Sequence, residues 1–355
     1  MAGNDQVKTR RKSRQVRVGA VRVGGDAPVS IQSMAKTRTK DVRETVRQIN
    51  GLAAAGCEII RVAVKDGEDA AAIARLKERI SIPLSADIHF DWKLAMASIE
   101  AGADKIRLNP GNVRAPAEVA QVCNAARRAG IPIRVGLNSG SVRRKGDQVK
   151  DMVDSCKEYL RLMERFKFRD IVISLKCQDV RDTVRAYRLM AAACDYPLHV
   201  GLTATGPASA GIIKSSVAIG SLLLDGIGDT IRISLTADPV EEVAAGRCLL
   251  QSLGLRNFGP EIISCPTCGR CQVNLVEIVN ELQKRMTGLR ARPSAKNAQV
   301  AVMGCEVNGP GEARQAAIGI AFGKGAGLLF KKGTPVRKVA AANCVEELLK
   351  EIRKL

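Results

Sequence analysis

Aromatic side chains are scarce in this sequence: phenylalanine, tryptophan and tyrosine together make up 3% of its 355 residues. A protein that stacks the bases of single-stranded nucleic acid needs exposed rings, so this composition argues against such a platform. A core with few aromatics has to be built from Val, Ile, Leu and Ala, which fill buried parallel strands and the helices that cover them. The composition therefore favours an α/β protein.

Long apolar runs are also lacking. No stretch approaches the roughly 18 residues of a membrane span, and the N-terminus lacks the apolar region of a signal peptide. The eleven cysteines are odd in number and scattered over a long chain, so they do not suggest a disulfide framework. We therefore expect a cytoplasmic protein without membrane attachment.

Acidic residues are too few to balance the basic ones, 36 against 56, and the net charge is +20. Such an excess suits nucleic acid, an acidic protein partner or an anionic substrate. Part of it lies in a basic run at 8–14, and blocks of like charge are usually solvated. We predict that residues 1–14 form a disordered basic tail.

A repeating unit follows this tail. A short apolar run precedes an amphipathic run, with Gly or Pro at the joints, and the pattern occurs eight times. Such alternation with short joints implies parallel strands, and eight units in about 220 residues are typical of a (β/α)8 TIM barrel. A doubly wound open sheet is the alternative. The apolar runs are 29–33, 58–64, 84–90, 105–109, 131–137, 171–176, 198–203 and 230–235.

The repeat stops near residue 253. We assign the barrel to 15–253, a linker to 254–263, and a small α+β domain to 264–355. The predicted elements of this second domain are a helix at 273–286, strands at 299–303, 318–322 and 327–330, and a closing helix at 345–354.

Four predicted strands carry an arginine inside an apolar run: Arg61, Arg107, Arg134 and Arg232. His199 takes the same place in a fifth. Both faces of a barrel strand are covered, so these charges must pair or point to a water-filled mouth. Structural salt bridges with Asp87, Asp104 or Asp229 are one interpretation.

The other interpretation is a cup for a phosphorylated small molecule, since guanidinium groups bind phosphate in a bidentate way. By strand alternation the arginines share a face with Asn109, Asn138 and Ser234, and Lys176 ends the sixth strand. Barrel active sites lie at this end of the strands. Asp87 and His89 also share one face, as a possible proton-transfer pair.

Cysteines in the second domain are placed for metal binding. Two residues separate Cys265 from Cys268, and Cys305 follows in a Gly/Pro-rich loop. The pattern indicates zinc or an iron–sulfur cluster, without deciding between them. By spacing alone Cys271 extends the first pair into a ferredoxin-like run, although we expect it to fall at the start of the next helix.

Several motifs resemble the family of 4-hydroxy-3-methylbut-2-enyl diphosphate synthases, shorter bacterial type, across nearly the whole chain from about residue 14. In the second domain they are Ser-Cys-Pro-Thr-Cys-Gly-Arg at 264–270 and Gly-Cys-Glu-Val-Asn-Gly-Pro-Gly-Glu at 304–312. In the first they are Ala-Asp-Ile-His-Phe at 86–90, Arg-Leu-Asn-Pro-Gly-Asn at 107–112 and Gly-Asp-Thr-Ile-Arg at 228–232.

The resemblance implies an iron–sulfur oxidoreductase of isoprenoid biosynthesis. Its reaction would be the two-electron reductive opening and dehydration of 2-C-methyl-D-erythritol 2,4-cyclodiphosphate to (E)-4-hydroxy-3-methylbut-2-enyl diphosphate. One [4Fe–4S] cluster per subunit is implied, with Cys265, Cys268, Cys305 and Glu312 as ligands. Implied partners are flavodoxin or ferredoxin as electron donor and a second copy of the chain in a homodimer. The implied substrate contacts are Arg61, Arg107, Arg134, Asn138, Lys176, Arg232 and Ser234.

One departure concerns the acid–base residues. The family usually reads Thr-Glu-Ala-Gly where this chain has Thr-Ala-Thr-Gly at 203–206. Either another group such as Thr205 or His89 takes the role of that Glu, or turnover is reduced, or the alignment shifts locally. We take Asp87, His89 and Glu312 as the catalytic candidates. The alternatives are a radical S-adenosylmethionine enzyme, whose cysteine motif would come earlier, and a zinc-bearing nucleic-acid-binding protein, suggested by the charge.

Overall fold

A computed structural model of the chain describes residues 9–142, 146–286, 298–307, 311 and 313–355. The chain divides into two units, Met1–Arg256 and Asn257–Leu355. Each has its own sheet, and each is described below by itself.

The first unit is a parallel eight-stranded barrel, which confirms the predicted TIM-barrel class and excludes the open doubly wound sheet. Neighbouring strands pair in parallel, and a bridge between Ile173 and Leu198 joins the two ends of the sheet. The strands are β3 (Ser30–Met34), β4 (Ile59–Val64), β5 (Leu84–Ile88), β6 (Lys105–Leu108), β7 (Ile133–Asn138), β8 (Ile171–Lys176), β9 (His199–Val200) and β10 (Thr230–Ile231).

Eight helices alternate with these strands, as the amphipathic runs predict. Six of them begin after an aspartate whose side chain accepts a backbone N–H of the first turn, which satisfies one of the unpaired donors there. The helices are α1 (Val42–Ala55), α2 (Gly67–Lys77), α3 (Trp92–Glu100), α4 (Pro116–Ala129), α5 (Gln148–Arg165), α6 (Val180–Ala193), α7 (Ala208–Leu224) and α8 (Pro239–Ser252).

Two strands are much shorter than the sequence predicts. The apolar runs 198–203 and 230–235 contribute only the two-residue strands β9 and β10. Arg232 still donates its N–H to the carbonyl of Val200, at 3.0 Å. Beyond that bond the two segments are loops, which provide irregular backbone at the carboxyl end of the barrel.

A small hairpin precedes the barrel. Strands β1 (Val16–Val18) and β2 (Val21–Val23) pair antiparallel. Their valines form one buried cluster with Ile59 and Val172, which lie at the amino ends of β4 and β8. The hairpin therefore covers the end of the barrel opposite the mouth.

Residues 9–14 do not behave as the predicted disordered tail. Arg10 and Ser13 both donate to Asp229 Oδ1 at 2.8 Å, and Arg11 donates to the carbonyls of Cys194 and Tyr196 at 2.6 and 2.5 Å. Asp229 is 2% exposed, and a buried carboxylate needs such partners. We call residues 10–14 the basic segment.

Within its described residues, the second unit contains a five-stranded mixed sheet and two helices that pack on it. Strands β11 (Glu261–Ser264), β12 (Gln299–Met303) and β13 (Ile318–Phe322) are parallel, and β14 (Ala326–Lys331) and β15 (Thr334–Ala340) continue antiparallel. Helices α9 (Leu275–Met286) and α10 (Cys344–Ile352) share an apolar core with this sheet. The sequence did not predict β15, whose residues are mostly exposed.

Among the residues that the structure describes, no helix has the length and hydropathy needed to cross a membrane.

Candidate functional site

The barrel interior carries charge where branched apolar residues are usual. The strand register places three of these charged residues side by side. Asp87, Arg107 and Arg134 are paired neighbours on β5, β6 and β7, so their side chains share the inner face. The same pairing places Arg61 beside Ser85 and Met34. We call the cations of this interior the cationic cup: Arg61, Arg107, Arg134, Lys176 and Arg232.

Asp87 holds two of these arginines. Its Oδ1 lies 3.1 Å from Arg107 Nη1, and its Oδ2 lies 3.6 Å from Arg61 Nε. Burial by itself would raise the pKa of Asp87, but the Arg61 and Arg107 charges outweigh burial and hold the pKa well below its usual range. Asp87 is therefore ionised at neutral pH and fixes the positions of both guanidinium groups.

Arg134 and Lys176 have no such partner. Arg134 is 1% exposed, and its Nη1 donates to Ser174 Oγ at 2.7 Å, while its Nε and Nη2 have no hydrogen-bond partner in the part of the chain that the structure describes. Among the described residues no carboxylate lies within 4 Å of either cation. Burial first, and then neighbouring cations, lower both pKa values. Unpaired buried donors beside uncompensated positive charge form a site prepared for an anion.

Glycines make room for these side chains. A Cβ at Gly136 would lie 2.8 Å from Arg107 Nε and 3.0 Å from Ser174 Oγ. A Cβ at Gly201 would lie 3.0 Å from Lys176 Nζ. Arg107 also donates to the Gly136 carbonyl at 2.8 Å, so β7 both leaves space for the Arg107 side chain and orients it.

Arg232 is paired from outside the sheet. Its Nη2 lies 3.5 Å from Glu242 Oε2 on α8, and Glu242 also accepts from Leu235 N at 3.0 Å and Ser33 Oγ at 3.1 Å. Burial lowers the pKa of Arg232 to about 10. The sequence analysis missed Glu242, because nothing in an ordinary helix face marks that residue as a partner of a strand.

The salt-bridge interpretation is correct only in part. Asp87 does pair with barrel arginines, but Asp104 pairs with Lys77 and Asp229 with Arg10 and Arg11. Asp87 and Glu242 thus face the five cations of the cup, which leaves a net positive interior. Asn138 and Ser234 end their segments at the same carboxyl side, both partly exposed.

Asp87 and His89 come near each other without a hydrogen bond. His89 Nε2 lies 3.7 Å from Asp87 Oδ2, and the His89 side chain is 48% exposed. Thr205, the proposed substitute for the missing Glu, is 2% exposed and donates its hydroxyl to the Ser234 carbonyl. Its proton is therefore already engaged. Ala204 beside it is exposed and has a left-handed φ of 52°.

Cysteines of the second unit cluster at the carboxyl ends of two parallel strands. Cys265 follows β11, and Cys305 comes two residues after β12, whose Val302 pairs with Ser264. Gly304 donates its N–H to Cys265 Sγ at 3.3 Å. This bond places the Cys265 sulfur at the base of the Cys305 loop. Among the described residues, however, no three metal-ligating side chains converge on one point.

Cys271 is not in a helix, contrary to the prediction. It lies in a turn before α9 and donates its own N–H to the Cys268 carbonyl at 2.9 Å. A Cβ at Gly304 would overlap Cys271 Sγ and lie 3.5 Å from Cys265 Sγ, so both sulfurs border the same glycine. Glu312, the other predicted ligand, lies outside the described residues.

Comparison with known proteins covers both units. Residues 13–247 match the family model of the GcpE TIM-barrel domain, and residues 261–354 match that of the GcpE protein C-terminal domain. Similar chains carry the name 4-hydroxy-3-methylbut-2-en-1-yl diphosphate synthase (flavodoxin).

Three of these relatives cover nearly the full length. The Ruminiclostridium cellulolyticum protein is 49% identical over 352 residues, 98% of each chain. The Geobacter sulfurreducens protein is 51% identical over 350 residues, 97% of this chain and 98% of its own. The Bacillus subtilis protein is 50% identical over 353 residues, 98% of this chain and 92% of its own.

Among solved structures, dihydropteroate synthase from Stenotrophomonas maltophilia is similar with a TM-score of 0.52 and 16% identity. The match covers 68% of this chain and 98% of that one. At this identity the likeness is to the barrel fold alone.

Proposed function

We propose that this chain, which belongs to the GcpE family, reduces and dehydrates 2-C-methyl-D-erythritol 2,4-cyclodiphosphate to (E)-4-hydroxy-3-methylbut-2-enyl diphosphate. The reaction consumes two electrons, opens the cyclic diphosphate and releases water. It belongs to isoprenoid biosynthesis, and the enzyme is an iron–sulfur oxidoreductase.

The cationic cup is the observation that carries this proposal. A cyclic diphosphate brings two negative charges, and the cup offers five cations against Asp87 and Glu242. Arg134 Nε and Nη2 are unpartnered donors ready for phosphoryl oxygens. Arg61, Arg107, Arg134, Lys176 and Arg232 would bind the phosphoryl groups, and Asn138 and Ser234 would contact the substrate from the partly exposed carboxyl edge.

Cys265, Cys268 and Cys305 fit the role of cluster ligands by their chemistry. Thiolates hold iron–sulfur clusters, and a backbone N–H to a ligating sulfur is one of the interactions that tune their potential. Gly304 N–H already makes such a bond to Cys265. One [4Fe–4S] cluster per subunit would supply the two electrons, one at a time.

Glu312 is our proposed fourth ligand, since an oxygen ligand leaves iron more readily than thiolate does. The position of Cys271 beside Cys265 makes it the rival for that role. Replacement of each residue in turn, followed by the spectrum of the purified protein, distinguishes the two.

Acid–base work falls to Asp87, His89 and Glu312 in this proposal. Asp87 is ionised and engaged with two arginines, so it orients the cup and has no proton to donate. His89 is half exposed at the carboxyl side of β5 and is the better placed of the two to exchange protons with water. A donor of this kind is needed when the leaving oxygen departs as water.

The electron donor is flavodoxin in our proposal, following the names of the relatives, with ferredoxin as the alternative. A net charge of +20 suits docking of an acidic carrier. We further propose a homodimer in the cytoplasm. The nucleic-acid-binding alternative has no support among the relatives.

Anaerobic purification with iron and sulfide analysis tests the proposal first. We expect a brown protein with about four irons per chain, and turnover of the cyclodiphosphate with reduced flavodoxin. Replacing Cys268 by Ser changes a residue outside the barrel unit, so it should remove the iron and the turnover while the barrel stays folded.

A colourless protein that carries zinc and binds duplex DNA in a salt-sensitive way would contradict the proposal. So would a protein with a full cluster complement that leaves the cyclodiphosphate unchanged with every reductant tried.

A further inference from the structure

Lys105 is a buried lysine that is not one of the five residues of the cationic cup. It lies on β6 beside Ser85 and is 0% exposed. Its Nζ donates to Gln32 Oε1 at 2.7 Å, so the Lys105 side chain reaches across the interior from β6 to β3. Among the described residues no carboxylate lies within 4 Å of this nitrogen, so the amine is held by one neutral amide.

The charges that act most strongly on Lys105 are those of two cations, Arg134 and Arg61. Strand β3 offers the uncharged Gln32 and Met34. Asp87, the carboxylate of this inner face, is already bound to Arg61 and Arg107. His199 is 0% exposed, and no described residue is a hydrogen-bond partner of either ring nitrogen. The titratable or charged groups that line the interior outside β3 are Arg61, Asp87, Arg107, Arg134, Lys176, His199, Arg232 and, from α8, Glu242.

The surroundings of this amine disfavour its charged form. Burial removes the hydration of the ammonium form, and the charges of Arg134 and Arg61 repel it, so both effects lower the pKa of Lys105. A dianion bound in the cup counteracts the repulsion by Arg134 and Arg61, because its negative charge offsets those guanidinium groups at short range in a poorly hydrated interior.

We propose that Lys105 takes up a proton when the cyclic diphosphate fills the cationic cup, so that substrate binding and protonation of the barrel interior are coupled. The inference rests on the proposed function. The proton comes from solvent and adds to the lone pair of Nζ, and no other bond forms or breaks. Lys105 is thus a positioning residue that adjusts interior charge to that of the ligand.

Binding must then depend on pH with a definite sign. The pKa of Lys105 is low in the empty protein and higher in the complex, so between those two values the complex holds an extra proton. The dissociation constant rises with pH in that window, by up to about tenfold per pH unit for one proton. Below the pKa of the empty protein, the contribution of Lys105 to this dependence disappears.

Calorimetric titration of the oxidised holoenzyme with the cyclodiphosphate, without reductant, measures this proton directly. Titrations near pH 8 in buffers of different ionisation enthalpy give the number of protons taken up. The two phosphoryl groups of the ring have no second ionisation, so the ligand itself adds none. We expect net uptake by the unaltered protein and a clear fall in Lys105→Met, which keeps the shape of a neutral lysine.

Matched variants separate the possibilities. Lys105→Gln keeps a polar contact to Gln32 and should lose the same proton, which covers the case in which Lys105→Met folds poorly. Lys77→Met removes a lysine that is paired with Asp104, and it should leave proton uptake unchanged. His199→Asn tests the neighbouring base, and we expect it to retain most of the uptake.

Equal proton uptake by the unaltered protein and by both Lys105 variants would overturn the inference, as would loss of uptake only in His199→Asn. Failure of the unaltered holoenzyme to bind the cyclodiphosphate would instead contradict the proposed function, so the two failures are distinguishable.

Discussion

Asp87 shows how one carboxylate can organise a cationic site. It is 3% exposed and lies within 4 Å of Arg61, Arg107 and His89. Without it, two guanidinium groups would be buried unpaired next to Arg134. The residue therefore stabilises the empty barrel while leaving the remaining positive charge for a ligand.

Replacing Asp87 by Asn should destabilise the barrel by about 3–5 kcal/mol, because it leaves two buried cations without their counter-ion. Urea unfolding at neutral pH measures the loss. Asp154→Asn, at an exposed pair with Lys157, should change stability by less than about 1 kcal/mol. Equal stability of the Asp87→Asn variant and the unaltered protein would show that the pairing contributes nothing.

Asp87 also makes the stability of the folded protein depend on pH. The pKa of Asp87 is depressed in the folded protein, so its contribution is complete above the unfolded value of about 3.9 and is lost as pH falls below it. The unaltered protein should therefore lose stability more steeply than Asp87→Asn below about pH 4. Parallel curves for the two proteins would argue against this linkage.

At the residue scale, the sequence predicted the cup well and its counter-ions poorly. Alternation along each strand was enough to place Arg61, Arg107 and Arg134 on the inner face. It could not find Glu242, since that carboxylate reaches Arg232 from a helix ten residues further along the chain. Nor could residue spacing show that Asp104 and Asp229 pair with residues outside the cup. Nothing in the spacing of Lys77 or of the basic segment links either of them to these carboxylates.

Strand β7 illustrates what a single element contributes. It supplies Arg134, the carbonyl of Gly136 that receives Arg107, and Asn138 at its end. Gly136 has an ordinary backbone conformation, so its small size, and not its flexibility, is what the site uses. The two arginines flank this residue in the space that a side chain would take.

Gly136→Ala should therefore push Arg107 away from its place. The added Cβ would meet Arg107 Nε at 2.8 Å and Arg134 Nη1 at 3.4 Å. We expect a stability loss of about 1–3 kcal/mol and at least tenfold weaker binding of the cyclodiphosphate. Calorimetry and urea unfolding measure the two effects.

Gly140→Ala is the matched control, since nothing lies within 4 Å of the position of its Cβ. It should bind as the unaltered protein does. If Gly136→Ala bound equally well, the arginines would not be held as tightly as the structure indicates.

At the element scale, the two helices predicted at 273–286 and 345–354 agree with α9 and α10 to within two residues at each end, while the strands were less exact. Aspartate caps and terminal glycines mark the helix ends, as at Asp41 and Gly56. The ends of β9 and β10 depend instead on which residues find a neighbour in the sheet, and composition does not record that. Strand β15 was missed because its exposed, basic residues lack the alternation of a half-buried strand.

The whole molecule separates its two chemical tasks between two units. The cationic cup is complete within Met1–Arg256, and the proposed cysteine ligands all belong to Asn257–Leu355. Each unit has a hydrophobic core of its own, the second built around Val300, Ile320 and Leu348. The end of the repeat near residue 253 predicts two domains joined by a linker at 254–263, and the two units meet between Arg256 and Asn257.

A chain that ends at Arg256 should fold by itself. Circular dichroism should show its helices, a thermal scan should show one cooperative transition, and the purified fragment should contain no iron. An aggregated or unstructured fragment would mean that the barrel depends on the second unit for its stability.

The basic segment has a consequence for how the molecule is made. Arg10 and Ser13 bind Asp229, which lies 219 and 216 residues further along the chain. At a synthesis rate of about 5–20 residues per second, the segment waits roughly 10–40 s on the ribosome before its partner emerges. During that interval Arg10 and Ser13 lack Asp229 as a partner, so the basic segment can be fully docked only after almost the whole barrel has been synthesised.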